Sequence, residues 1–155
     1  MHSPQSNASR LVLTALALAG ALSLAGCHRD DIGGPGIAGT AVRVRLMEFS
    51  VTPERTSAPE GIVNFHVTNA GTEEHEFLVI KTDLAPNALP REANGSYQEN
   101  GPGTTLVDEL GSVQPGSSLD LTLNLLAGNY VLICNRVEGS ESHYARGMRA
   151  AFRVD

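Results

Sequence analysis

Leucine stands at positions 119, 121, 123 and 125, alternating with Ser118, Asp120, Thr122 and Asn124. This period of two puts every leucine on one face of an extended strand and every polar residue on the other. Gln114-Pro115-Gly116 before the run and Ala127-Gly128-Asn129 after it read as turns, which favours a strand over one or two turns of helix. The same alternation recurs in Val42, Val44 and Leu46 against Arg43, Arg45 and Met47, and in Val63, Phe65 and Val67 against Asn64, His66 and Thr68. Glu74 to Ile80, Thr105 to Leu110, Tyr130 to Cys134 and Arg149 to Val154 read as further strands. No long segment has the helical period, and no internal repeat is present. Seven or eight short strands separated by turns predict an all-β sandwich or barrel over residues 41–155. One stretch breaks the rhythm: residues 81–104 carry Pro86, Pro90, Gly95, Gly101, Pro102 and Gly103 without a period. A loop that long in a compact domain is usually functional or mobile.

The chain before residue 41 reads differently. Arg10 precedes an apolar run from Leu11 to Leu22, the layout of an export signal, and the run is too short and Ala-rich for a membrane span. It ends in Leu24-Ala25-Gly26-Cys27, which resembles the lipobox of bacterial lipoproteins. That resemblance implies a signal peptide over residues 1–26 and a lipid on Cys27, with membrane attachment on the periplasmic or extracytoplasmic side. His28 rather than Asp after the cysteine leans towards an outer membrane. A Gly- and Pro-containing tether over residues 27–40 would join the lipid to the domain.

Two consequences follow for chemistry. The chain has 11 Lys and Arg against 17 Asp and Glu, and removal of the signal takes away Arg10 and no acid. An acidic product of this kind argues against nucleic acid or an anionic lipid surface as partner. The chain also has only two cysteines. If Cys27 carries lipid, Cys134 has no disulfide partner in an oxidising compartment, and metal ligation or reactivity is the usual explanation.

Cys134 is followed by His143 and then Met148, a Cys-x8-His-x4-Met arrangement between two strands. A thiolate, an imidazole and a thioether are soft or borderline donors, and two His, one Cys and a distant Met form the ligand set of a blue-copper centre. The second His must come from elsewhere. His28 sits in the tether. His66 lies on the polar side of its strand and reads as solvent-facing. His75 stands where the turn-like segment Asn69 to Glu74 enters a strand, at the junction where a ligand is both held and exposed to one end of a sandwich. Taken singly, each of these residues has an ordinary reading: a small buried Cys, an exposed His, a core Met.

The segments Phe65 to Gly71, His75 to Ile80, Pro115-Gly116, Gly128 to Asn135 and His143 to Met148 together resemble the cupredoxins, in particular the bacterial copper-binding proteins related to sulfocyanin and rusticyanin. The resemblance covers roughly Val42 to Val154. It implies a Greek-key β-sandwich of two sheets, one copper per chain, His75, Cys134 and His143 as strong ligands, and Met148 as a weak axial ligand. One departure stands out: many cupredoxins have two to four residues between Cys and the second His, and here eight intervene. The polar insert 137–142 either bulges outward at Gly139 and leaves the geometry intact, or loosens the site.

The sequence supports three functions. The first is an electron carrier serving an unidentified redox protein, as a monomer and not an enzyme. Five histidines are too few for a multicopper oxidase, and one Cys in the ligand loop excludes a binuclear oxidase-type centre. The second is copper delivery, storage or sensing with the same ligands. The third is a metal-free β-sandwich interaction module. Arg136, Arg146 and Arg149 lie near the expected site, and a raised reduction potential with docking of an acidic partner is the expectation they carry.

Overall fold

The computed structural model of the protein describes residues 39–155. The expected signal peptide, the expected lipidation site Cys27, His28 and most of the expected tether lie outside the described residues. Eleven strands and one short helix follow. They are β1 (Thr40–Met47), β2 (Ser50–Pro53), β3 (Ser57–Ala58), β4 (Gly61–Asn69), β5 (His75–Thr82), β6 (Thr104–Val113), β7 (Ser118–Leu125), β8 (Gly128–Ile133), β9 (Val137–Glu138), β10 (Glu141–Ser142), α1 (His143–Arg146) and β11 (Arg149–Val154). The longer strands are those expected from the sequence, with β1 starting one residue before the expected domain boundary. The short β2, β3, β9 and β10 carry too few residues to show a period, so the pattern missed them.

The strands form two sheets, ordered β2-β1-β4-β7 and β3-β11-β8-β5-β6, with β9 and β10 as a separate hairpin. The chain changes sheet between β2 and β3, β3 and β4, β4 and β5, β6 and β7, and β7 and β8, which makes the fold an all-β Greek-key sandwich. The first sheet follows simple alternation. Val42, Val44 and Leu46 of β1, Val63, Phe65 and Val67 of β4, and Leu121, Leu123 and Leu125 of β7 all point into one core. Phe65 is its centre, with ring centroids 5.5 Å from both Phe77 and Phe152 of the facing sheet.

The second sheet is covered on both faces, and this explains two apolar runs that alternation does not describe. In Phe77-Leu78-Val79-Ile80 and Tyr130-Val131-Leu132-Ile133 every side chain is buried. One set joins Phe65 in the sandwich core. The other set, Leu78, Ile80, Val131 and Ile133, packs with Leu89, Tyr97 and Tyr144 on the outer face. The aperiodic stretch 83–103 is thus a third layer: it brings Leu89 and Tyr97 over the sheet. Its backbone is pinned by Asn135, whose Oδ1 accepts from Tyr97 N at 2.6 Å and whose Nδ2 donates to Tyr97 O at 3.1 Å. Leu89 N donates to the Tyr144 hydroxyl at 3.1 Å, and that hydroxyl donates to Pro86 O at 2.9 Å.

Phe65→Ala removes the ring shared by both sheets and is expected to cost about 3–5 kcal/mol, read as a lower urea midpoint at an unchanged m-value. A loss under about 1 kcal/mol would show that the two sheets do not depend on this aromatic cluster.

Candidate metal centre

Sheet register brings the first two donors to one end of the sandwich. β5 begins at His75 and β8 ends at Ile133, just before Cys134. The two strands are antiparallel neighbours with Leu78 opposite Ile133, so the start of one meets the end of the other. Glu76 N–H donates to Cys134 Sγ at 3.2 Å. On the other side of β8, Arg149 of β11 lies opposite Ile133. Met148 therefore flanks Cys134, whose N–H donates to the Met148 carbonyl at 3.1 Å.

His143 arrives through the insert. Gly139, at φ 59°, turns β9 back on β10, with Val137 opposite Ser142. His143 N–H then donates to Arg136 O at 2.9 Å, which closes the base of the hairpin. Ser142 caps the single helical turn through Ala145 N at 3.2 Å and donates its hydroxyl to Gly95 O at 2.9 Å. Gly147, at φ 126°, ends the turn, and Met148 N–H returns to His143 O at 3.0 Å. The extra residues between Cys134 and His143 are thus folded out as a hairpin, the first of the two arrangements the sequence left open.

The outcome is a triangle of donor atoms. His75 Nδ1 and His143 Nδ1 are 3.1 Å apart, and Cys134 Sγ is 3.5 Å from His143 Nδ1 and 3.9 Å from His75 Nδ1. The circle through points at those separations has a radius of about 2.0 Å, close to metal–nitrogen and metal–thiolate bond lengths of about 2.0–2.3 Å. A single ion at its centre reaches all three donors without moving them, and two imidazoles with one thiolate suit copper. Met148 is fully buried in the same core cluster as Cys134. Among the sequence candidates, His75, Cys134 and His143 meet here, and Met148 lies beside them. His66 is elsewhere, exposed and hydrogen-bonded to Asp120 Oδ1 at 2.7 Å.

The site is dry. His75 and Cys134 are 0% exposed and His143 is 1% exposed. Burial pushes the Cys134 thiol up to about 11, an effect softened by the Glu76 and Arg136 backbone N–H groups. Burial also holds both imidazoles below the ordinary His value, with the His143 charge a further cause for His75. A cation at the centre reverses this balance: it favours thiolate and neutral imidazole, so its binding releases protons.

Carboxylates stand behind both rings. Glu48 Oε1 is 3.7 Å from His75 Nε2, and Glu73 Oε2 is 3.4 Å from His143 Nε2. Hydrogen bonds from the backbone N–H groups of Glu73, of Glu48 itself and, less strongly, of Thr72 lower the Glu48 carboxyl to about 2. The Phe49 ring meets His143 edge-on at 5.4 Å, and the Arg146 guanidinium lies 4.3 Å over Phe49. The three arginines expected to act on the site are each engaged by a neighbour. Arg136 pairs with Glu74 at 3.2 Å, Arg146 pairs with Glu141, and Arg149 donates to Tyr144 O at 2.6 Å. Tyr144 and Leu89 are buried.

Sequence reasoning missed Glu48, Phe49, Asn69 and Asn135. Asn69 shapes the turn before His75: its Nδ2 donates to Glu73 O at 2.7 Å and Val113 O at 2.8 Å, and its Oδ1 accepts from Gly71 N at 2.9 Å. The Asn-Ala-Gly signature signals that turn. Nothing in the sequence signals Glu48, which is 27 positions from His75.

Several solved structures share the fold. Reduced auracyanin from the photosynthetic bacterium Roseiflexus castenholzii aligns over 76% of this chain and 98% of its own, at 19% identity and a TM-score of 0.54. Rusticyanin from Thiobacillus ferrooxidans aligns over 76% and 79%, at 18% identity and a TM-score of 0.52. Auracyanin A from Chloroflexus aurantiacus, described as a "blue" copper protein, aligns over 76% and 100%, at 16% identity and a TM-score of 0.51. No family model and no curated protein matches the chain. Among the described residues, no helix is long and apolar enough to cross a membrane.

Burial gives the metal-free protein a stability optimum. As pH falls through the ordinary His value of 6.5, the unfolded chain takes up protons that the native imidazoles resist, and stability drops. As pH rises from 9.0 towards about 11, the unfolded chain loses a thiol proton that native Cys134 keeps, and stability drops again. The denaturant midpoint is expected to be highest between about pH 7 and 8.5, and Cys134→Ala should flatten the limb between about pH 9 and 10. An alkaline limb identical in the two proteins contradicts this assignment.

Proposed function

We propose that the protein, a chain with the fold of the auracyanins and rusticyanin, is a one-copper electron carrier. His75 Nδ1, Cys134 Sγ and His143 Nδ1 are the strong ligands in this reading, and Met148 supplies the weak axial thioether. The observation that carries the proposal is the donor triangle, already at bonding separations and closed to water. Bound copper supplies a one-electron couple whose oxidation states share the sulfur and imidazole donors.

What the chain contributes is stillness. Glu76 N–H holds Sγ, the Cys134–Met148 backbone bond locks two strands at the site, and the His143 turn is capped at both ends. Donors that cannot rearrange keep the reorganisation accompanying electron transfer small. The same closure disfavours copper delivery or storage, which needs ligands that an acceptor can reach; all three strong donors are buried. Phe49 is only half-buried and touches His143, so a redox partner is proposed to approach over Phe49. Glu73 and Glu138, with side chains 40% and 60% exposed, suit a basic face on that partner.

The proposal extends to the periplasmic or extracytoplasmic face of a bacterial membrane. The protein is exported, anchored by lipid at Cys27, and monomeric in this reading, which rests on the Leu24 to Cys27 segment. Labelled palmitate should enter the wild type and not Cys27→Ser; equal labelling rules out the anchor.

Titration of the purified protein with Cu(II) tests the centre. An intense visible thiolate-to-copper charge-transfer band should saturate at one equivalent and vanish in Cys134→Ser. Copper bound without that band points to copper handling, and no binding leaves a structural β-sandwich.

A further inference from the structure

His75 has two ring nitrogens with different fates. Nδ1 faces the donor triangle, so in the metal-bound protein the ring proton sits on Nε2. That Nε2 is buried and has no hydrogen-bond partner, in a side chain that is 0% exposed. Such an orphan donor is costly unless something accepts from it. The group facing it is Glu48, in the turn between β1 and β2, with Oε1 at 3.7 Å.

The Glu48 carboxylate is built into place. Oε1 accepts from Thr72 N at 2.6 Å and Glu73 N at 2.7 Å, in the loop that leads directly into His75. A carboxylate has about four acceptor positions, two on each oxygen; both bonds fall on Oε1, so the capacity for another donor lies on Oε2. Gly71 makes the seat possible: a Cβ there would lie 2.4 Å from Oε1 and 2.7 Å from Oε2. Glu48 is 23% exposed, whereas Glu73 behind His143 is 40% exposed. The two ligand histidines are thus backed unequally, one by an anchored carboxylate and the other by a more solvated one.

We propose that Glu48 is a positioning residue for the metal centre: its carboxylate takes the hydrogen bond of His75 Nε2, fixes the ring, and biases the site towards the oxidised metal. The proposal rests on the copper reading given above. Closing the 3.7 Å separation to a charge-assisted hydrogen bond of about 2.8 Å takes a relative shift of about 1 Å between the His75 ring and the anchored carboxylate, or a turn of the carboxylate that presents Oε2. A carboxylate accepting from a ligand imidazole raises its basicity, and its negative charge favours Cu(II) over Cu(I). Glu48 therefore contributes more to Cu(II) affinity than to Cu(I) affinity and lowers the reduction potential.

The test compares wild type, Glu48→Gln, Gly71→Ala and Glu73→Gln in the whole protein. Cu(II) and Cu(I) affinities are read by chelator competition and the potential by voltammetry. Glu48→Gln keeps an oxygen for the Thr72 and Glu73 N–H groups, and melting temperature monitors the fold. Its Cu(II) affinity is expected to fall about 10–100-fold, with Cu(I) affinity changed much less. Each tenfold difference between the two raises the potential by about 59 mV. Gly71→Ala, which displaces the carboxylate without removing its charge, should move the potential the same way, and it carries the test if Glu48→Gln does not fold. Glu73→Gln should have the smaller effect. A wild type without the thiolate-to-copper band overturns the copper reading itself. A wild type with the band, beside Glu48→Gln and Gly71→Ala variants with its affinities and its potential, overturns the role of Glu48 alone. A loss of melting temperature with an unmoved potential also overturns it, because that is what a purely structural turn residue would give.

Discussion

The metal end of this molecule depends on the backbone of Cys134. Its N–H is bonded to Met148 O, its thiol takes the N–H of Glu76, and it directly follows the central strand β8. Through those bonds it joins β5, β8 and β11 at one point, where His75 and Met148 also stand. Because β5 and β11 are both antiparallel to β8, their starts lie at its end. A shift of one residue in either ladder would turn His75 or Met148 to the opposite face. The core residues Phe77, Leu132 and Phe152 hold the register against such a slip.

Stiffness at the site comes from a layer that does not look structural in sequence. The stretch 83–103 has only one isolated bridge, Arg91 to Tyr97, yet it covers the outer face of the second sheet. Leu89 and Tyr97 supply apolar area, and Asn135, next to Cys134, fastens Tyr97 by two hydrogen bonds. Ser142, next to His143, is fastened to Gly95. The ligand-bearing segments are thus clamped from behind by the same loop. Length without a repeating pattern here reflects irregular but well-bonded backbone, as burial requires.

Charge at the site is arranged so that each cation has a partner and the carboxylates dominate the surroundings. Arg136 and Arg146 are consumed by glutamates, and Arg149 by a carbonyl. Glu48 and Glu73 face the outer nitrogens of the two ligand histidines. A centre backed in this way is electrostatically biased towards a higher metal charge, the opposite of what arginines close in sequence would impose.

What the amino-acid sequence determined by itself was local. Alternation along residues 42–47, 63–67 and 119–125 specifies strands with one buried face, because strand side chains repeat every two residues. The grouping of Cys134, His143 and Met148 between two strands marks the ligand region, because soft donors that close together have a common chemistry. Tertiary structure alone decided the rest. The outer-face burial of Leu78 and Val131 needs a covering loop whose position no periodicity encodes. The fate of residues 137–142 was settled by pairing of β9 with β10 and by the base bond from His143 to Arg136, contacts that exist only once the chain has closed. Glu48 reaches His75 because β1 and β4 run side by side in parallel, which brings the turn after β1 against the turn after β4. Pairing between strands distant in the chain is set by the total burial of the sandwich, a property of the whole fold that no local segment carries.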